Sequence, residues 1–168
     1  FADEIGMKTP TTRIITDGSQ IETGSPMEFP LVVKGIFYDA YIAHSMPELI
    51  LYTQKIVARW GYPFLIQRCI VGEEFNAAAV GDGRGNSLGT VCMKKMTLTD
   101  KGKGWACVTI KNEPFIAVTE KIVAALRWAG VLEVEAIYSK TEDCFYLIEI
   151  NPRAPAWVYL ACAAGINL

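Results

Sequence analysis

The chain has 168 residues, 51% of them hydrophobic, with 16 basic and 18 acidic side chains giving a formal net charge of −2. That length fills one good core or two small lobes, and positive charge clusters only at Lys94-Lys95 and Lys101-Gly-Lys103, which excludes the basic stripe of a nucleic-acid surface. The longest weakly polar run, near the C-terminal end, is too short and too interrupted by Pro155 and Gly165 to cross a bilayer. The five cysteines (Cys69, Cys92, Cys107, Cys144 and Cys162) are odd in number and contain no C-x-x-C pair. Mostly apolar or strand-like neighbours make them buried free thiols of a reducing, cytoplasmic compartment. No signal peptide is read. The opening stretch Phe1-Ala-Asp-Glu-Ile-Gly6 has the form of a helix end closed by glycine, so a fragment of a longer chain is expected.

In chain order, residues 13–16 read as a short strand and 17–26 as a polar loop holding Gly18 and Gly24. Residues 31–34 form an apolar strand that ends in Lys34 and is followed by Gly35. Ser45-Met-Pro-Glu48 has the capping-box form. The helix it opens carries Leu49, Tyr52, Ile56 and Trp60 at helical spacing and stops at Gly61. A strand at 64–70 leads to Gly72, and 75–80, 88–96 and 105–110 read as three more strands, with a turn at 82–86 and a loop at 99–104. A second helix opens near Asn112 and Pro114 and closes at Gly130, and a third runs over 156–164. Strands alternating with helices, then antiparallel meanders, make an α+β arrangement with a break near Gly72.

The richest chemistry lies between those last two helices. Residues 132–137 read as a strand with Glu135 near its middle, and Phe145-Tyr-Leu-Ile-Glu-Ile-Asn-Pro-Arg153 as its hairpin partner. Glu149, Asn151 and Arg153 recur at steps of two, so one face presents an acid, an amide and a guanidinium in a row. If Ser139 pairs with Phe145, Glu135 falls opposite Glu149. Like charges so placed are destabilising, and two carboxylates with an amide oxygen suit a hard cation such as Mg²⁺ that also bridges to phosphates. The hairpin alone equally fits a solvated face on which Glu149 pairs with Arg153.

Glu149-Ile-Asn-Pro-Arg153 with a preceding strand glutamate resembles the metal-binding end of the ATP-grasp superfamily, and the tail from Ala154 to Leu168 is most similar to its carbamoyl-phosphate-synthetase-like branch. The resemblance covers nearly the whole chain. It implies an ATP-grasp fold, two α+β lobes gripping a nucleotide, with residues 1–71 as the small lobe and 72–168 as the larger lobe carrying the metal site. It further implies Mg²⁺ (or Mn²⁺) on Glu135, Glu149 and Asn151, ATP phosphates on Lys34, and adenine on Gln67 and the backbone of Arg68 and Ile70. By the same resemblance Glu74 takes the ribose hydroxyls, and Lys94, preferred over Lys95, lies near the phosphates. Arg153 is then the catalytic residue, stabilising the transferring phosphoryl group or the acyl-phosphate oxyanion.

The family follows its lysine strand with a glycine- and serine-rich loop. Here Gly35-Ile-Phe-Tyr-Asp-Ala-Tyr41 holds a single glycine. His44, the only histidine, is read as a bystander. The activity implied is ATP-dependent ligation of a carboxylate to an amine through an acyl phosphate, without nucleic-acid or membrane partners and with a homodimer among the assemblies open to it. The alternatives are an ATP-grasp phosphotransferase and a nucleotide-binding module without turnover.

Overall fold

A computed structural model describes residues 1–22, 27–37, 39–98, 104–166 and 168. The chain divides into two compact units, Pro10–Ile70, and Phe1–Thr9 together with Val71–Leu168. Residues 1–9 were expected in the small lobe, whereas they belong with the larger unit. There Lys8 makes a parallel bridge to Tyr146, accepts a hydrogen bond from the Leu147 N–H at 2.8 Å and pairs with Glu142 at 3.1 Å, while Met7 enters the core.

The smaller unit is a four-stranded antiparallel sheet in the order β1-β4-β2-β3, built from β1 (Thr12–Ile15), β2 (Leu31–Gly35), β3 (Ala40–Ala43) and β4 (Phe64–Arg68). A short α1 (Ser19–Glu22) sits within the expected loop, whose residues 23–26 lie outside the described residues. The long helix α2 (Met46–Trp60) buries Leu49, Thr53 and Ile56 against Ile15, Leu31, Val33, Ala43, Phe64 and Ile66. The expected capping box is replaced by a bond one residue further back. Ser45 is extended at the cap without a side-chain bond, while Glu48 reaches back to the His44 N–H at 2.7 Å.

The larger unit is a five-stranded antiparallel sheet, β7-β6-β5-β8-β9, from β5 (Glu73–Asp82), β6 (Ser87–Leu98), β7 (Gly104–Ile110), β8 (Ala129–Ser139) and β9 (Cys144–Asn151). Helix α3 (Glu113–Leu126) is capped by Asn112, whose Oδ1 accepts the Phe115 N–H at 3.0 Å. It ends at Arg127 in the left-handed region, so Gly130 stands inside β8 rather than at the helix end. Alternation puts Ala77, Ala79, Leu132, Val134 and Ala136 beneath α3, where they pack with Phe115, Ile122 and Val123. Glu74 of β5 and Glu133 and Glu135 of β8 therefore face the other way. Helix α4 (Tyr159–Ala163) is shorter than expected, and the loop at 99–103 lies outside the described residues. All five cysteines are free, but only Cys92 is buried, and Cys162 is exposed.

Gly72 lies just before β5, and a side chain there would meet the Tyr138 carbonyl oxygen at 2.2 Å and Ile137 Cγ2 at 2.7 Å. Gly72→Ala should push β5 off β8 at the end carrying Glu74. Overpacking of this kind costs about 1–3 kcal/mol, a loss of about 2–4 °C in melting temperature per kcal/mol at this size. A thermal melt matching the parent would show that the carbonyl can move aside.

Candidate functional site

Because α3 takes one face of the large sheet, the other collects polar side chains from four strands. Glu74 and Asn76 come from β5, Lys95 from β6, Glu133 and Glu135 from β8, and Glu149 and Asn151 from β9. Their centre is a cation. Lys95 Nζ lies 2.9 Å from Glu74 Oε2 and 3.3 Å from Glu135 Oε2, and its side chain is only 9% exposed. The Asn151 amide closes the group, donating to Glu135 Oε1 at 3.1 Å and to Glu133 Oε2 at 3.3 Å.

Burial works against the charge of Lys95, yet the hydrogen bonds and negative charges of Glu74 and Glu135 outweigh it and raise its pKa above the ordinary lysine value of 10.5. The lysine facing this group is thus Lys95, not the preferred Lys94. Lys94 is the register partner of Phe75, so alternation carries it to the opposite face, where it pairs with Glu73 at 2.9 Å.

Glu135 and Glu149 are register partners, reached by a different route from the one expected. The hairpin closes one residue earlier, with Ser139 opposite Cys144, and a bulge between Glu135 and Ala136 in the β8–β9 register absorbs the extra residue. The bulge restores the facing of the two carboxylates. Glu149 is exposed and makes no side-chain hydrogen bond or ion pair among the described residues, so it does not pair with Arg153.

Among the described residues no three His, Cys, Asp or Glu side chains are gathered to hold a metal by themselves. Glu135 and Glu149, facing each other with the Asn151 amide on the same face, are the groups here whose oxygens could hold a hard cation.

Arg153 is largely exposed beyond β9, with Nη1 3.6 Å from Glu133 Oε2 and 3.5 Å from the Ala154 carbonyl. Glu133 itself was not singled out in the sequence. Its side chain is 5% exposed and accepts from Asn76 Nδ2 at 2.8 Å and Trp157 Nε1 at 2.7 Å as well as from Asn151. Its signal was the strict alternation Leu132-Glu-Val-Glu-Ala136, which places Glu133 and Glu135 on one face.

The remaining expected residues lie in the smaller unit. Lys34 and Gln67 share the face of its sheet that α2 leaves uncovered, because their neighbours Val33 and Ile66 point into the core. Gln67 Nε2 donates to Thr12 Oγ1 at 2.8 Å. The Arg68 and Cys69 N–H groups are spent on the carbonyls of Thr11 and Pro30 at 2.9 and 3.1 Å, and Ile70 ends the unit. After Lys34 the chain turns back at once into β3, which the sequence did not reveal. Asp39, at φ 68°, accepts from Arg59 Nη1 at 2.8 Å and Trp60 Nε1 at 2.9 Å, pinning the turn to the end of α2. Tyr38, within the expected lid segment, lies outside the described residues.

The family profile described as ATP-grasp domain matches residues 3–156. A carbamoyl-phosphate synthase of Methanobrevibacter smithii is 27% identical over 99% of this chain and 47% of its own length. A carbamoyl phosphate synthase large chain of Clostridium botulinum is 25% identical over 88% of the chain and 15% of its own length. The chain thus spans half or less of the curated relatives it matches. Among solved structures, the biotin carboxylase domain dimer of Hydrogenobacter thermophilus 2-oxoglutarate carboxylase, in complex with MgADP, ADP and bicarbonate, superposes with a TM-score of 0.78 at 15% identity, covering 98% of this chain and 41% of that one. D-alanine–D-alanine ligase of Bacillus anthracis complexed with ATP gives 0.68 at 20% identity, covering 98% and 58%.

Lys95→Met should strand Glu74 and Glu135 together and destabilise the protein by about 1.5–3 kcal/mol at neutral pH, the worth of a charged hydrogen bond. A raised folded-state pKa contributes stability that is complete below the unfolded value of 10.5 and is lost as pH climbs through the folded value. The difference between parent and variant, measured by denaturant unfolding, should be flat from neutral pH to near 10 and shrink above it. A variant as stable as the parent at neutral pH would remove Lys95 from the centre of the cluster.

Proposed function

The chain belongs to the ATP-grasp family, and from that premise we propose that it is the ATP-grasp part of an ATP- and Mg²⁺-dependent ligase joining a carboxylate to an amine. The observation that carries the reading is Lys95 shared by Glu74 and Glu135 beside the facing pair Glu135 and Glu149, at the head of Glu149-Ile-Asn-Pro-Arg153. It is a site with charge of both signs held ready for a polyphosphate and its cation.

In this reading Glu74 accepts the ribose hydroxyls. The adenine contact runs through Gln67, the Arg68 carbonyl and the Ile70 N–H, since the Arg68 and Cys69 N–H groups are already used. Lys34 and Lys95 balance phosphate charge. Glu135, Glu149 and Asn151 would hold Mg²⁺, with Mn²⁺ as a substitute, and the ion supplies neutralisation of the developing phosphate charge. The substrate carboxylate oxygen attacks the γ-phosphorus, the bond to the bridging oxygen breaks and ADP leaves. The amine nitrogen then attacks the acyl carbon and inorganic phosphate departs with the C–O electron pair. Arg153 stabilises the charge on the transferring phosphoryl group and on the acyl-phosphate oxyanion. Positioning and electrostatics carry such chemistry, with little covalent work for the protein.

Five free thiols suit a reducing cytoplasm, and a homodimer is compatible with this reading. The pinned turn after Lys34 favours a second reading, a nucleotide-binding module without turnover, because less free backbone is available to cradle phosphates. Product analysis separates them. Ligation gives ADP, phosphate and an amide, a phosphotransferase gives ADP and a phosphorylated acceptor, and the silent module gives neither.

Glu74→Ala should weaken ATP binding by about 1.5–3 kcal/mol and reduce discrimination against 2′-deoxy-ATP. Calorimetric titration showing the parent's affinities for both nucleotides would remove Glu74 from the site.

A further inference from the structure

We infer that Glu133 is a positioning residue, whose buried carboxylate holds the Asn151 amide and the Arg153 guanidinium at the end of β9. The inference rests on the nucleotide reading above and adds a residue to it. Glu133 lies on β8 two residues before Glu135, yet the two carboxylates have different surroundings. Glu135 is partly exposed, with one oxygen on the Asn151 amide and the other on Lys95, whereas Glu133 is 4% exposed and is met by four donors. Its Oε1 accepts from Asn76 Nδ2 at 2.8 Å and Trp157 Nε1 at 2.7 Å, and its Oε2 from Asn151 Nδ2 at 3.3 Å, with Arg153 Nη1 at 3.6 Å. A buried carboxylate is tolerated when such donors compensate for lost water. Buried beneath these donors, Glu133 acts on a ligand only through the residues it holds.

Those residues sit at the chemistry. Asn151 and Arg153 flank Pro152, and Asn76 is the register partner of Glu135. The Asn76 amide shows which way the network pulls. It keeps its NH₂ on Glu133 although its Oδ1 is buried and has no partner among the described residues. Trp157 donates to the same carboxylate from the segment after β9, so one side chain ties β8 to both Asn151 and Trp157. A glutamine at position 133 would offer one acceptor oxygen where the carboxylate offers two. The Trp157 N–H cannot turn into an acceptor, so one side of the network must let go.

The test is Glu133→Gln in the full-length protein, read by the Mg²⁺ concentration needed for half-maximal ATP binding and by kcat and KM separately. Residues that orient metal-site side chains typically carry 10–100-fold. The Mg²⁺ midpoint should therefore rise about tenfold or more and kcat should fall by a similar factor, while ADP affinity in EDTA stays at the parent's value. A lower melting temperature with an unchanged Mg²⁺ midpoint would make Glu133 merely structural and overturn the inference, leaving the nucleotide reading intact. Absence of Mg²⁺-dependent ATP binding in the parent would overturn both. If Glu133→Gln does not fold, Trp157→Phe keeps the ring packing and removes one donor from Oε1. The Mg²⁺ midpoint should then move in the same direction by a smaller factor, and an unmoved midpoint would overturn the inference.

Discussion

The polar face of the large sheet depends on one ammonium group placed among carboxylates. Glu74, Glu135 and Glu149 come from three strands onto one face, with two of them directly opposed. Without a counter-charge that face would press its strands apart. Lys95 supplies the counter-charge to Glu74 and Glu135 from a nearly buried position, and Asn151 adds a neutral donor. Glu149 remains outside this network, exposed. The cluster therefore carries more negative charge than it neutralises.

Much of this was legible because strands alternate. The apolar members of Leu132-Glu-Val-Glu-Ala136 had to meet a helix, so the acids had to face away, and a period of two is robust to small errors in strand ends. The facing of Glu135 and Glu149 emerged from a register that was wrong at the turn and right at the site, because a bulge offsets the shorter loop. Bulges have no clear mark in a single sequence. Lys94 and Lys95 could not be separated by composition, since adjacent residues of a strand take opposite faces and only the pairing of Phe75 with Lys94 decides which. Glu133 escaped notice because its importance lies in burial, and the groups that bury it, Asn76 and Trp157, are distant in sequence. Strand β3 escaped for a different reason. The segment after Lys34 was read through the family's glycine-rich loop, whereas Asp39 in a left-handed conformation and its ties to Arg59 and Trp60 make it a tight hairpin.

Family membership and fold rest on a match across residues 3–156 and on superpositions whose sequence identity is low. Which side chains meet which rests on register, burial and hydrogen bonds within the larger unit. In the smaller unit, Lys34 and Gln67 lie on the sheet face away from α2.

The central claim is that the face bearing Lys95, Glu135, Glu149 and Asn151 receives a divalent cation together with a nucleotide. Substituting Mn²⁺ for Mg²⁺ and following backbone NMR signals gives the most direct test, since the paramagnetic ion erases resonances near it. With ADP present, signals from Glu135, Glu149 and Asn151 should vanish at the lowest Mn²⁺ concentrations, and without ADP they should persist to much higher ones. Survival of those signals while resonances elsewhere are erased first would contradict the account.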